Sequence, residues 1–411
     1  MEFGATGNGT NDDSQDVLND NNGVLRAWKN VCGSKAGRPV LKFPAGRTYL
    51  LKPMLFQGPC VSNSVLIQID GYIRAPSSIY EWIGFERGSW LHFLNINGLI
   101  VSGKGTFDGY GHIWWNITKK GGSIKAPAGI NQSCSPMHVY REVGQQPTNV
   151  ATLQAVDQSC SPMHVNREGL GFHHCNNLQL YGFTSKNSPN KHITIQGCIG
   201  VTVSNIHIQA PKTSPNTDGI MISTSSQINI NESFIATGDD CISIKSGSSY
   251  INITHIACGP GHGISVGSLG VVQTPSTVEQ VHVKNCTFNG TSNGARIKTW
   301  STGVGYARAI TFEHITLIAS QNPIIINQDY TDLKDGAIKI SDVTYRGFVG
   351  TSLTEEAITL DCAKLGCNGI VMEKINLVSA LPGKKVTSFC KNANGKLKST
   401  SPNVPCLAKE S

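Results

Sequence analysis

Asp218-Gly219-Ile220, Asp240-Cys241-Ile242 and His262-Gly263-Ile264 follow one another at a constant step of 22 residues, and each is trailed two places later by a second aliphatic residue, Ile222, Ile244 or Val266. Twenty-two residues is close to one coil of a parallel β-helix, in which each turn of chain lies about 4.8 Å from the next. That winding stacks two carboxylates and an imidazole at one corner of successive coils. Asp239 adds a third carboxylate beside Asp240. Further on, Arg296-Ile297-Lys298 turns its isoleucine inward and sets two cations outward on one face. Three acids, a histidine and two cations on one wall make an acid/base site.

Working outward, short alternating segments recur from about residue 170 to residue 380. Examples are Val201-Thr-Val-Ser-Asn-Ile-His-Ile, Tyr250-Ile-Asn-Ile-Thr, Val281-His-Val-Lys-Asn and Ile338-Lys-Ile-Ser-Asp-Val, with Gly, Asn or Asp corners between them. Alternation places aliphatics inside and polar residues outside. An antiparallel sandwich also alternates, but it does not return the same corner residues with one period. The expected fold is therefore all-β, a parallel β-helix closed at its start by a short capping helix over Val24–Cys32. A solenoid grows along its axis as one unit, so 411 residues need not split into several domains. Residues 1–90 read as the cap and first coils, and 385–411 as a tail finishing the other end. Asp16 to Gly23 stands ahead of that helix. Gln132-Ser-Cys-Ser-Pro-Met-His-Val returns almost verbatim from Gln158, so 130–168 reads as a duplicated loop insertion, and no chemistry is assigned to His138 or His164.

Composition narrows the partners. A net charge of +7 favours an anionic one. Nucleic acid is not indicated, because the chain carries no Lys/Arg run, zinc-finger spacing or aromatic RNA-binding motif. Thirteen cysteines point to an oxidising compartment, with Cys362/Cys367, Cys390/Cys406 and Cys241/Cys258 as local staples. The odd count leaves at least one thiol over, for which Cys134 or Cys160 is the candidate. Paired C-x-x-C spacing is absent, which argues against zinc. Sequons at Asn8, Asn116, Asn131, Asn231, Asn252, Asn285 and Asn289 agree with secretion. Met1-Glu-Phe-Gly-Ala-Thr-Gly has no basic start or apolar core, so the expectation is an exported protein whose leader is missing from this sequence. No window is long and apolar enough to span a membrane.

The wall has a bland reading, since Asp and Asn commonly turn β-helix corners. Adjacent aspartates with another one coil away are harder to explain that way, because clustered like charges destabilise a fold. Gly238 frees the backbone so that Asp239 and Asp240 can face one cleft. Crowding raises the pKa of at least one carboxyl and holds a proton ready for donation. Arg296 and Lys298 offset the remaining charge and suit a substrate carboxylate.

Four segments in order, Ser214-Pro-Asn216-Thr217-Asp218-Gly, Gly238-Asp239-Asp240-Cys, Gly259-Pro-Gly-His262-Gly and Arg296-Ile-Lys298, resemble the signature motifs of polygalacturonases, the pectin-cleaving family 28 of glycoside hydrolases. Leu50-Leu-Lys-Pro, Gly103-Lys-Gly-Thr-Phe-Asp-Gly109 and Asn327-Gln-Asp-Tyr330 are similar to its plant branch. The resemblance implies a right-handed β-helix, an extracellular or cell-wall setting, a monomer acting on polygalacturonate, and inverting hydrolysis of α-1,4 linkages with no metal or cofactor. It implies Asp239 as general acid, Asp218 and Asp240 as activators of water, and His262 as keeper of the acid's protonation. It further implies Arg296, Lys298 and Tyr330 at the galacturonate, with Asn216 positioning the cleft. Met221 stands where plant members usually carry histidine or another polar residue. Two other outcomes are a galacturonan-binding homologue without turnover and a calcium-dependent pectate lyase. Endo or exo action turns on whether loops within 111–168 and 269–277 close one end.

Overall fold

The computed structural model describes residues 5, 7, 14–82, 88–119, 167–270, 274–300, 303–328 and 338–409. Tyr330, His138, His164, Cys134 and Cys160 lie outside them. The chain winds as a right-handed parallel β-helix. One face is a parallel sheet of eleven strands among the described residues, one from each coil. Its central members are Ile193–Gln196, Ile220–Ser223, Ile242–Ile244, Ile264–Leu269 and Asn293–Thr299.

Register is set by buried aliphatics. Ile193, Ile220, Ile242, Ile264, Ala295, Ile324 and Ile358 pair in sequence across this sheet, and all are buried. Two residues on, Ile195, Ile222, Ile244, Val266, Ile297, Ile326 and Leu360 form a second buried column. The alternate residues point outward: Thr194, Met221, Ser243, Ser265 and Arg296 share one register. Near the amino-terminal end Phe56, Phe93 and Phe172 stack with centroids 4.7 and 4.8 Å apart, which is the coil spacing itself.

At one bend of the opposite faces a left-handed residue recurs in every coil from Asn205 onward. Asn205, Glu232, His255, Asn285, His314, Gly347, Lys374 and Ser399 all have φ between 47° and 64°. Each follows a residue of one continuous register running from Ser204 to Lys398.

Three boundaries differ from expectation. The capping helix runs over Ser14–Cys32, so it takes in Asp16 to Gly23, which the sequence reading placed ahead of it. The buried carboxylate of Asp20 accepts the amide hydrogens of Gly7 (3.1 Å) and Leu50 (3.2 Å), tying the helix to the first coil. Val24, Ala27, Trp28 and Val31 bury the other helical stripe, with Trp28 edge-on to Phe56. At the far end, the stretch read as a tail continues the coils with strands Thr387–Lys391 and Ala393–Ser401. Glu168, placed in the loop by sequence, opens the strand Glu168–His173. The three expected staples form, joined by Cys32–Cys60. Cys175, Cys198 and Cys286 are buried free thiols.

Candidate active site

Because Ile220, Ile242 and Ile264 pair directly, Asp218, Asp240 and His262 occupy equivalent places two residues ahead of each strand. Backbone hydrogen bonds carry the register into the corner: His192 N–H donates to Asp218 O (2.8 Å), Gly219 N–H to Asp240 O (2.9 Å) and Cys241 N–H to Gly263 O (2.8 Å). The corner is too tight for side chains at two positions. A Cβ on Gly263 (φ +82°) would lie 2.2 Å from Asn293 O, and one on Gly238 would lie 2.0 Å from Ser214 O.

Each carboxylate is held differently. Ser243 Oγ donates to Asp218 Oδ2 (2.7 Å), and one coil on Ser265 Oγ donates to Asp240 Oδ1 (2.7 Å). Lys298 Nζ takes the second oxygen of Asp240 at 2.8 Å, so both oxygens of this carboxylate are committed. Asp239 Oδ1 accepts from the Asp240 amide (2.8 Å) and from His262 Nδ1 (2.9 Å). Among the described residues, Asp218 Oδ1 and Asp239 Oδ2 have no partner. Exposure separates the three, since the Asp239 side chain is 21% exposed whereas Asp218 and Asp240 are buried at 6% and 1%.

The electrostatics follow from these contacts. Burial, reinforced by the charges of Asp240 and Asp239, pushes the Asp218 carboxyl up to about 6, against the pull of Lys245 and Lys191. Burial pushes Asp239 up as well, but the His262 hydrogen bond and charge and the Asp240 amide outweigh it and hold Asp239 below the usual carboxylate range. The Asp239 hydrogen bond raises His262, with burial opposing. One carboxyl pKa is therefore raised, that of Asp218, by burial first and by crowding second. The two opposite shifts favour a carboxylate at Asp239 beside a protonated imidazole at His262.

Arg296 lies half-buried in the outward column beside Ser265, on the same face as Lys298. Asn216 is exposed and left-handed (φ 54°) on the rim, in contact with none of the carboxylates among the described residues. Sequence reasoning missed Ser243 and Ser265, although both repeat with the same 22-residue period three places after Asp240 and His262. It also missed Lys245, whose Nζ donates to Gly267 O at 2.7 Å, and Lys191, which acts on Asp218 from the preceding coil. Arg296, Lys298, Lys245 and Lys191 gather with His262 around Asp218, Asp239 and Asp240, with Glu168 also acted on by Lys191, a set of cations suited to an anionic chain.

Asp239, Asp240 and His262 offer ligand atoms within 4.8 Å of one another. They suit a metal ion poorly, because Asp239 and His262 bond each other and the oxygens of Asp240 are taken by Ser265 and an ammonium. What the wall suits is proton transfer. It has one carboxylate reachable from solvent beside a proton-bearing imidazole, and another with a vacant oxygen one coil away.

Comparison with known proteins agrees with this chemistry. The family model for glycosyl hydrolases family 28 matches residues 32–138 and 149–401. A probable polygalacturonase of Arabidopsis thaliana is 40% identical over 417 aligned residues, covering 99% of this chain and 79% of that protein. A polygalacturonase of Persea americana is 37% identical over 398 residues, with 95% and 76% covered. Among solved structures, an endo-xylogalacturonan hydrolase from Aspergillus tubingensis shares the fold with a TM-score of 0.73 at 24% identity, over 94% of this chain and 95% of that one.

Proposed function

Since the chain belongs to glycosyl hydrolases family 28, we propose that it cleaves the α-1,4 linkages of galacturonan, the backbone of pectin, by hydrolysis with inversion. The observation that carries this reading is the division of labour among three aspartates. Asp239, the exposed one, has Oδ1 bound by His262 and Oδ2 available to the leaving oxygen. Asp218 keeps Oδ1 available to a water, while Asp240 has none to spare.

In this mechanism Asp239 protonates the glycosidic oxygen. An inverting pair needs about 6.5–9.5 Å between its carboxyls to admit the water, and Asp218 and Asp239 come from successive coils. Asp218 takes the water's proton, and Asp240, fixed by Lys298, supplies negative charge that keeps Asp218 basic. His262 holds the proton that Asp239 needs. As a substrate carboxylate enters beside it, Asp239 becomes more basic and the shared proton moves onto it. Arg296 binds a galacturonate carboxylate, Asn216 lines the rim, and Tyr330 keeps the sugar-site role that the family motif gives it. The four disulfides agree with secretion into an oxidising compartment, and the cationic wall agrees with polygalacturonate as the substrate; the enzyme is taken to act as a monomer that uses no metal or cofactor.

The test is Asp239→Asn. Release of reducing ends from polygalacturonate is expected to fall by about 10²–10⁴-fold, the usual worth of a positioned acid, with melting temperature and affinity for galacturonan retained. Hydrolysis at the parent rate would remove Asp239 from this role.

A further inference from the structure

We propose that Lys191 binds the carboxylate of the galacturonate unit on the side of the scissile bond opposite Arg296, an inference that rests on galacturonan as the ligand. Ile193 pairs with Ile220, so Lys191 stands in the column of Asp218, Asp240 and His262, one coil before Asp218. Arg296 lies one coil beyond His262, since Ile264 pairs with Ala295. Along the axis the order is therefore cation, three acids, imidazole, cation. A sugar chain cleaved over the acids has one unit on each side, and every unit of a galacturonan carries a carboxylate. Arg296 can meet only one of them.

Lys191 is also prepared for the task. Its Nζ donates to Asn190 Oδ1 at 2.6 Å, and Asn190 is itself buried and accepts the Lys191 amide at 3.0 Å. This fixes the ammonium through one of its three hydrogens and leaves two for an incoming acceptor. Lys298 is spent on Asp240, whereas Lys191 pairs with no carboxylate among the described residues. Glu168, a carboxylate that also feels Lys191, accepts a hydrogen bond from Ser89 Oγ at 3.2 Å. Both Asp218 and Glu168 feel the charge of Lys191, which places the ammonium inside the cleft's field. The side chain is half-buried, so a ligand can reach it and water only partly screens it.

The competing explanation is that Lys191 only screens Asp218. If Lys191 only screens Asp218, its loss weakens an anionic ligand through Asp218 and has no effect once Asp218 is neutral, whereas direct carboxylate recognition persists there and disappears when the carboxylate is esterified. Calorimetric titrations of trigalacturonate and of its trimethyl ester into the full chain carrying Asp218→Asn and Asp239→Asn, with and without Lys191→Met, separate the two. A hydrogen bond between charged groups is worth about 1.5–3 kcal/mol, so trigalacturonate should bind about 10- to 100-fold more weakly to the Lys191→Met protein. The ester should lose less than threefold, and Lys191→Arg should restore most of the affinity. No loss for trigalacturonate, or an equal loss for both ligands, would overturn the proposal. Affinity is read here without turnover, so a separate failure of the parent chain to hydrolyse polygalacturonate would count against the assigned activity and not against this site.

Discussion

Lys298→Met tests whether the floor of the cleft is as dry as its contacts imply. Lys298 and Asp240 meet at 2.8 Å with side chains only 8% and 1% exposed, and among the described residues the one other side-chain bond to Asp240 comes from Ser265. Removing the ammonium strands a carboxylate in the wall, and breaking a buried pair from one side costs about 3–5 kcal/mol. Unfolding entropy near 60 °C is about 2.1 cal/mol/K per residue, or about 0.9 kcal/mol/K if all 411 residues melt together. Lys298→Met should therefore lower the melting temperature by about 3–6 °C in scanning calorimetry at neutral pH with disulfides intact. Asp240→Asn strands the ammonium and should cost a similar amount. The double variant removes both charges, and exchanging a whole buried pair is often nearly neutral, so it should melt within about 2 °C of the parent. A single-variant loss below about 1 °C, or a double variant that falls by the sum of the singles, would refute the claim that this pair is desolvated and coupled.

Acidity gives a second expectation. Activity should fall on the acid side as Asp218 takes up a proton near pH 6, and on the alkaline side as His262 loses its proton above its ordinary 6.5. His262→Ala should cost at least about tenfold in kcat and abolish the alkaline limb while leaving the acid limb in place; an unchanged profile would remove His262 from the proton inventory. The same pair affects stability with a definite sign. His262 is raised and Asp239 lowered, so their contribution is whole between pH 3.8 and 6.5. It is lost as pH rises through the His262 value and as pH falls through that of Asp239. The difference in melting temperature between parent and His262→Ala should be largest inside that window. Chelation offers a third check: excess EDTA should leave hydrolysis intact and the products saturated, whereas unsaturated products, or activity restored by calcium, would mark an eliminating enzyme.

The columns were legible because residue type and position say the same thing. Ile220, Ile242 and Ile264 repeat with the period of Asp218, Asp240 and His262, so core and corner are read from one stretch. The left-handed bends were less so. Asn205, Asn285 and Gly347, and to a lesser degree His255 and His314, favour that conformation by their own chemistry, but Glu232, Lys374 and Ser399 do not, and they adopt it because the coils above and below fix the bend. The helix start was misread because Asp20 interrupts the apolar stripe, and its partners are backbone amides 13 and 30 residues away. In the site, Ser243 and Ser265 went unread although alternation around the inward isoleucines sets both outward, and only the structure shows which carboxylate each one reaches. Lys191 was invisible because its coil takes 27 residues, breaking the period that exposed its neighbours.

Coil length itself has a consequence for how such an enzyme can be altered. The two steps that span the acids, Ile220 to Ile242 and Ile242 to Ile264, are 22 residues each, while the coils on either side take 27 and 31. Turns this short have no slack from which to grow a flap over the bond being cut. Lids, gates and end-stops must be furnished by flanking coils, so evolution is free to restyle the doorways of the cleft while the bench between them stays bare.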